Sequence, residues 1–284
     1  MKHTVSRSSM RPAGSLLPAV LGLAAVLGAS SVALEPVPAG AADKAAAALV
    51  PAALQPKGVG SGTTWYVSAG GKDTNDGKSP NRPFRTLQKA ADTVGPGDVV
   101  LVMNGEYATN KGPNPPDPTG EDPVMELRRS GTPNRWIAIR PYPKHKPVIY
   151  VRNWAGIQIR DAAYILIEGL TVRGNLREIS YAYAFNERNN RFNALTAGSG
   201  ITVIPKKDDR QFPHHVVIRN NTVYDLPGGG IATVAADYVL VQNNVVHHTS
   251  WWSPFGNSGI SFFESKNFDW NSGYKMFMLD NTVY

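Results

Sequence analysis

The chain has no cysteine, which excludes disulfides, thiolate metal centres and a cysteine nucleophile and leaves any metal to oxygen or imidazole ligands. Charged residues are scarce, at 18% of 284 residues against 42% hydrophobic ones, so the chain can bury a core and wholesale disorder is excluded. Long uninterrupted helical patterns are lacking too. The 27 Gly, 22 Pro and 20 Asn punctuate regular structure and favour frequent turns over a helical bundle. There is no glycine-rich phosphate loop between a strand and a helix, no zinc-spaced histidine motif and no serine elbow, so those chemistries have no signature here.

The formal charge is +7, of which residues 1–41 hold Lys2, Arg7 and Arg11 against Glu35, 3 − 1 = +2. The remaining +5 is spread along the chain without a basic arm carrying interleaved aromatics, so nucleic acid is not an expected partner. Lys2, Arg7 and Arg11 precede an uncharged run from Pro12 to Leu34, and Ala39-Gly40-Ala41 offers small residues to a signal peptidase. That order is expected of a secretory signal over residues 1–41 and of a secreted, extracellular protein with no stable membrane insertion after cleavage. The run is long enough for a membrane anchor; Pro18 and its small residues speak against one. Residues 42–64, rich in Ala, Pro and Gly, are expected to form a flexible linker, and residues 65–284 the folded domain.

Thr86 is a suitable N-cap for a short helix with Leu87, Ala90, Ala91 and Val94 on one face, stopped by Gly95-Pro96-Gly97. Val99 to Met103 is a buried-type strand. Beyond residue 130 the chain repeats itself, and a repeat decides architecture before local features do. Ile167–Val172, Ile218–Tyr224, Val241–His247 and Leu279–Tyr284 each spell a strand, a tight polar turn and a second strand. Gly156-Ile157, Gly200-Ile201, Gly230-Ile231 and Gly259-Ile260 alternate with them at intervals of 44, 30 and 29 residues. Constant strands with variable loops are the mark of a solenoid. Alternation points Ile157 and Ile159, Ile201 and Val203, and Ile260 and Phe262 inward. Asn221, Asn244 and Asn281 recur at one turn, where Asn tolerates left-handed backbone and can bond to the Asn of the next coil. The sequence therefore predicts an all-β parallel β-helix with a short capping helix, in place of a β-sandwich, which would show hairpins and no such recurrence.

Trp65-Tyr66-Val67-Ser68, Asp76-Gly77, Pro83 to Ala90, Pro96-Gly97-Asp98 and Gly105-Glu106-Tyr107, followed by Ser130 to Pro133 and Ile137 to Tyr142, resemble the N-terminal region of secreted right-handed parallel β-helix proteins of the pectate lyase superfamily, most of all family 9 polysaccharide lyases. The resemblance runs from Trp65 to nearly the end of the chain. It implies a carbohydrate cleft along one face, a lysine base and a calcium ion (Ca2+) held by aspartates, although the family's acidic calcium segment has no evident counterpart here. The motifs belong to the cap and the stack, so they specify architecture better than activity.

With the Gly-Ile strands as one sheet, the loops following the Asn-Asn strands form one wall of a cleft and the segments following the Gly-Ile strands form the other. The first wall carries Arg177, Tyr181, Tyr183, Phe185, Arg188 and Arg191 in an insertion between Gly174 and Gly198, then Asp225, then His247-His248 and Trp251-Trp252. Trp251 and Trp252 are sugar-stacking candidates or a plug over the coil. Tyr181, Tyr183 and Phe185 alternate as strand residues do and are binding candidates or a packed edge, with Arg188 beside them. His247 and His248 are candidates for a base or metal ligand, or a structural pair.

Lys266 on the other wall is a candidate base for uronate β-elimination, as are Lys206, Lys207 and Arg210; all also suit a solvated surface. Asp208, Asp209 and Asp225 are candidate calcium ligands, the first two equally readable as part of an ion-pair cluster. The expected function is a polysaccharide lyase, a monomer cleaving an acidic, uronate-containing glycan such as pectate. The alternatives are an inverting glycoside hydrolase, with carboxylates about 6.5–9.5 Å apart, and a non-catalytic glycan-binding solenoid. Asn281 to Tyr284 repeats Asn221 to Tyr224, where an earlier coil continues, and a solenoid needs a terminal cap; a continuation of the coil beyond Tyr284 is therefore expected.

Overall fold

Period-two alternation of β-branched residues, broken every few residues by a polar turn, dictates short strands, and the chain winds them through three parallel sheets in turn. The computed structural model describes residues 50–109, 122–206 and 211–284; the expected signal at residues 1–41 and the candidates Lys207, Asp208, Asp209 and Arg210 lie outside the described residues. The winding begins with β1 (Thr64–Val67), β2 (Val99–Val102), β3 (Glu106–Tyr107) and β4 (Met125–Leu127). The next coils are β5 (Ile137–Pro141), β6 (Val148–Val151) and β7 (Ala155–Arg160), then β8 (Ala163–Glu168), β9 (Thr171–Gly174) and β10 (Ser199–Ile204). They continue with β11 (His214–Arg219), β12 (Thr222–Tyr224) and β13 (Ile231–Val234), then β14 (Asp237–Gln242), β15 (Val245–His247) and β16 (Ile260–Phe263), and finally β17 (Met276–Leu279) and β18 (Thr282–Val283).

Sheet I runs β1-β2-β5-β8-β11-β14-β17, sheet II β3-β6-β9-β12-β15-β18 and sheet III β4-β7-β10-β13-β16. The inward register is the one that alternation predicts. In sheet III, Ile157 pairs with Ile201, which pairs with Ile231 and in turn with Ile260; the next inward column is Ile159, Val203, Thr233 and Phe262. The glycine before each isoleucine has a steric cause. A Cβ on Gly200 would stand 2.5 Å from the Gly230 carbonyl oxygen, and one on Gly230 would stand 2.3 Å from the Val246 side chain, so the coils close only around glycine.

Between sheets I and II the asparagines form a ladder, Asn221 to Asn244 to Asn281, buried at its first two members, each rung donating its backbone N–H and Nδ2 to the Oδ1 of the next. The left-handed residue is one position earlier than expected. Asn220, Asn243 and Asp280 have φ of 59°, 53° and 55°, freeing the ladder asparagine to point inward.

Helix α1 (Leu87–Thr93) is capped by Thr86, whose Oγ1 accepts from Lys89 N at 3.1 Å. Asp73 holds that cap in place by accepting from Thr86 N and Oγ1. Leu87, Ala90, Ala91 and Val94 are buried and close the N-terminal end of the core, as their spacing predicts.

The linker expectation is corrected for residues 50–63. A short 3-10 turn at Ala52–Leu54 lays Val50 and Leu54 in a cluster on the outside of sheet I with Val99, Ala138, Leu166, Val217, Leu240 and Phe277. Leu54 is 0% exposed, and burying such a side chain is worth about 1.5–3 kcal/mol. Trp136 N donates to the Lys57 carbonyl. Composition alone signalled a tether because two apolar residues suffice to pin it.

Candidate functional site

The outward face of sheet III carries two side-chain columns, because residues i and i+2 of a strand share a face. The first is Glu126, Gln158, Thr202, Ala232 and Ser261. The second contains Arg160, paired with Ile204, and Val234, paired with Phe263; extending the β4–β7 register by one residue sets Arg128 beside Arg160. The part of these columns contributed by β4, β7 and β10 (Glu126, Arg128, Gln158, Arg160, Thr202 and Ile204) is the floor of a groove of about 440 Å³, walled by Trp154, Ala197, Ser199, Phe255 and Asn257. A larger hollow of about 770 Å³ toward α1 shares Asp122, Pro123 and Glu126 with it.

Glu126 organises the first part of the floor. Its Oε1 accepts from Gln158 Nε2 at 2.9 Å and Arg160 Nε at 2.5 Å, and its Oε2 accepts from Arg128 Nε at 2.6 Å. Burial alone would raise its pKa; the bonds from Arg128, Gln158 and Arg160 outweigh that and hold the carboxyl below its ordinary value. Each guanidinium spends its Nε on Glu126, and its Nη groups meet no acceptor among the described residues. Such groups are suited to a planar oxyanion such as a carboxylate.

The wall between β9 and β10 contains helices where strand-like alternation was expected. Ser180 caps α2 (Tyr181–Glu187), its side chain accepting from Tyr183 N, and Asn193 caps α3 (Ala194–Ala197). The alternating aromatics misled because in a helix the i, i+4 pair meets instead: Tyr181 stacks on Phe185 at 5.9 Å. Tyr183 has its hydroxyl bonded by Asn193, and Arg188 lies 4.0 Å from the Phe185 ring while donating to the Phe185 carbonyl. Trp252 is half-buried, with its backbone N–H on the Pro227 carbonyl and its ring edge-on to Tyr181 at 6.2 Å. It closes the loop, whereas Trp251 is 62% exposed.

His247 does not reach the groove. It faces outward from sheet II, stacked between Tyr224 and Tyr284 at 5.0 Å on each side, with its Nδ1 2.7 Å from that of His248. Burial, then the neighbouring His248, lowers its pKa. Asp225 differs from the expected calcium ligand: its Oδ2 accepts from Arg177 Nε at 2.7 Å and its buried Oδ1 has no partner. No group of three or more Asp, Glu or His able to hold a metal occurs among the described residues, and the other two calcium candidates, Asp208 and Asp209, lie outside them. Lys266 is exposed, its backbone N–H bonded to Ala236 O, and Lys206 is exposed beside Asp161, which accepts from its backbone N–H.

Sequence reasoning missed Glu126, Arg128, Gln158 and Arg160. The only signal was the alternation Ile157-Gln158-Ile159-Arg160, which turns two polar residues outward from a buried strand. It also missed Lys275, which bonds Asp237 at 3.3 Å and Asp269 at 2.9 Å beneath the loop between β16 and β17.

Residues 65–226 match the family described as Pel9A-like, right handed beta helix region. Over 121 residues the chain is 31% identical to the uncharacterized protein YwoF of Bacillus subtilis (strain 168), a match covering 40% of this chain and 23% of that protein. The solved structure of pectate lyase Pel9A is 16% identical with a TM-score of 0.50, covering 73% of this chain and 48% of that one. The GH136 lacto-N-biosidase of Eubacterium ramulus is also 16% identical, with a TM-score of 0.47 over 71% of this chain and 40% of that one. The chain thus spans under a quarter of the curated relative and about half of the pectate lyase, and the likeness to the lyase is one of fold.

Proposed function

This chain belongs to the Pel9A-like right-handed β-helix family, and we propose that it is a polysaccharide lyase whose groove on sheet III binds an acidic, uronate-containing glycan and cleaves it by β-elimination. The observation that carries this reading is the pair Arg128 and Arg160, fixed through their Nε atoms by Glu126 with Nη groups left over at the groove floor. A guanidinium placed against a uronate carboxylate would stabilise the negative charge that develops when the adjacent proton is removed. Lys206, two residues after β10, and Lys266, three residues after β16, are exposed on the segments that follow sheet III and are the candidate bases of this reading. The same reading takes the protein to be a secreted monomer, and leaves calcium to be tested with the substrate.

Incubation with polygalacturonate and with alginate, each with and without chelator, decides the matter. Unsaturated products detected by ultraviolet absorbance support the lyase, and their loss on chelation would implicate a metal. Saturated reducing ends would replace the lyase by a hydrolase. Binding without turnover would leave a glycan-binding solenoid, a second reading favoured by the engagement of Glu126 in three hydrogen bonds, which leaves it poorly placed to move a proton. If neither glycan is bound or cut, the proposal fails.

A further inference from the structure

Four aromatic rings form one contiguous run beside the groove. Phe185 stacks on Tyr181 at 5.9 Å, Tyr181 meets the edge of Trp252 at 6.2 Å, and Trp252 meets Trp251 at 6.3 Å. Trp252 is held by its loop, but Tyr181 is 69% exposed and Phe185 48%, and Trp251 is exposed with them. Helix α2 sits in the insertion that lengthens the Gly156–Gly200 interval to 44 residues, against 30 and 29 for the next two. A coil closes without it, so rings left in water on an added helix mark a surface that meets a partner. Two cations accompany the rings. The Arg188 guanidinium lies 4.0 Å from the centre of the Phe185 ring and that of Arg191 5.8 Å from the centre of Phe255, and neither meets a carboxylate among the described residues. Phe255 lines the groove. The loop between β15 and β16 therefore carries Trp251 and Trp252 into the patch and Phe255 into the groove.

We propose that Tyr181, Phe185 and Trp251 form a second binding surface, outside the groove, for a further stretch of an acidic polysaccharide chain, with sugar faces against the rings and carboxylates at Arg188 and Arg191. This rests on the acidic-glycan reading above and adds a site that the groove does not supply. A pyranose ring has an apolar C–H face that covers an aromatic ring, and a guanidinium held over a ring keeps its N–H edge for an anion. Continuity with the groove and two cations without a counter-charge favour a polyanion over a second copy of this chain, whose own patch would set like charges together. A chain seated in the groove meets the patch as an intramolecular event, so long chains gain affinity that short ones do not.

The test titrates trigalacturonate and polygalacturonate into the wild-type protein and the double variant Tyr181→Ala, Trp251→Ala at low ionic strength. The variant is expected to bind the polymer at least about tenfold more weakly, a factor within reach of two aromatic contacts, with trigalacturonate affinity unchanged. Both side chains are exposed, and a thermal melt checks that the wall is intact. The double variant Arg188→Gln, Arg191→Gln keeps the rings and is expected to show the same selective loss. Polymer affinity unchanged in both variants overturns the inference and leaves the acidic-glycan reading standing. So does an equal loss for trigalacturonate, which would place the rings within the groove site. A wild-type dimer in sedimentation that the variants abolish assigns the patch to a second copy and also overturns it. Failure of the wild type to bind either ligand overturns both readings.

Discussion

Asn244 Oδ1 receives two hydrogen bonds from Asn221, one coil earlier: the backbone N–H and the Nδ2 group, each at 3.0 Å. Asn244 in turn donates Nδ2 to the Ile218 carbonyl at 2.9 Å and is 0% exposed. Removing its amide strands donors and an acceptor where water does not reach, at roughly 1–3 kcal/mol per unsatisfied group. Asn244→Leu is expected to lower unfolding free energy in urea by about 3 kcal/mol. Asn243→Gly, next to it at φ 53°, is expected to change stability by less than about 0.5 kcal/mol, because glycine accepts that backbone freely. Equal losses in the two variants would show that the ladder bonds are not what holds the turn.

His214 and His215 predict a pH dependence of stability. Their Nδ1 atoms are 2.7 Å apart, and His215 lies between Tyr164 at 4.7 Å and Tyr238 at 4.3 Å. Burial pushes both imidazoles down to about 4, against the opposing pull of Asp237; for His215 the neighbouring His214 lowers it further. In the unfolded chain each would titrate near 6.5. The unfolded state therefore takes up protons first as pH falls, so the stability these groups contribute is complete above about pH 6.5 and lost between there and about pH 4. The melting temperature is expected to fall across that window. The double variant His214→Gln, His215→Phe should flatten the slope, an aromatic ring at position 215 being compatible with the tyrosines one coil away on either side. An unchanged slope would assign the acid sensitivity to other groups.

The stack was legible because its steric demands recur. Close coil contact requires glycine at 200 and 230, and a buried turn requires an amide at 221, 244 and 281, so identical residues return at related positions. The groove was not legible for the opposite reason. Glu126 and Gln158 meet only because β4 and β7 pair, and each is an unremarkable polar residue at an outward position in its own strand. The conspicuous local features pointed elsewhere: His247 is absorbed by an aromatic stack, Trp252 by its loop, and Asp225 by Arg177. Local patterning records what each coil needs from its neighbour, whereas the groove needs residues from several coils that share no sequence constraint.

Lys275 shows the same separation, with its partner Asp237 in the preceding coil. The lysine side chain is 5% exposed and that of Asp237 3%. Asp269, then Asp237, holds the amine cationic and raises its pKa, against the opposing effect of burial. Asp237 also accepts from Phe268 N at 2.7 Å and Tyr238 N at 2.9 Å, so the pair ties the loop between β16 and β17 to the stack. Lys275→Met leaves the Asp237 carboxylate without its cation and is expected to lower the midpoint of urea unfolding. Lys275→Met with Asp237→Asn is expected to recover part of that loss in the same urea titration. A double variant no more stable than the single one would mean that packing, not the uncompensated charge, sets the cost.

Arg160 separates charge recognition from folding at the groove. Glu126 retains Arg128 and Gln158 as partners when Arg160 is lost, so Arg160→Gln is expected to cost only about 1 kcal/mol of stability. A glycan carboxylate at the groove loses a charge-assisted donor, for which roughly 1.5–3 kcal/mol is typical. Affinity for polygalacturonate should therefore fall by at least about tenfold at low ionic strength. Screening shortens the reach of the remaining charges at high salt, so the affinities of the wild-type and variant proteins should converge as salt is raised. A deficit that is constant across salt would show that Arg160 shapes the floor without meeting the anion, and no deficit at low salt would place the carboxylate elsewhere in the groove.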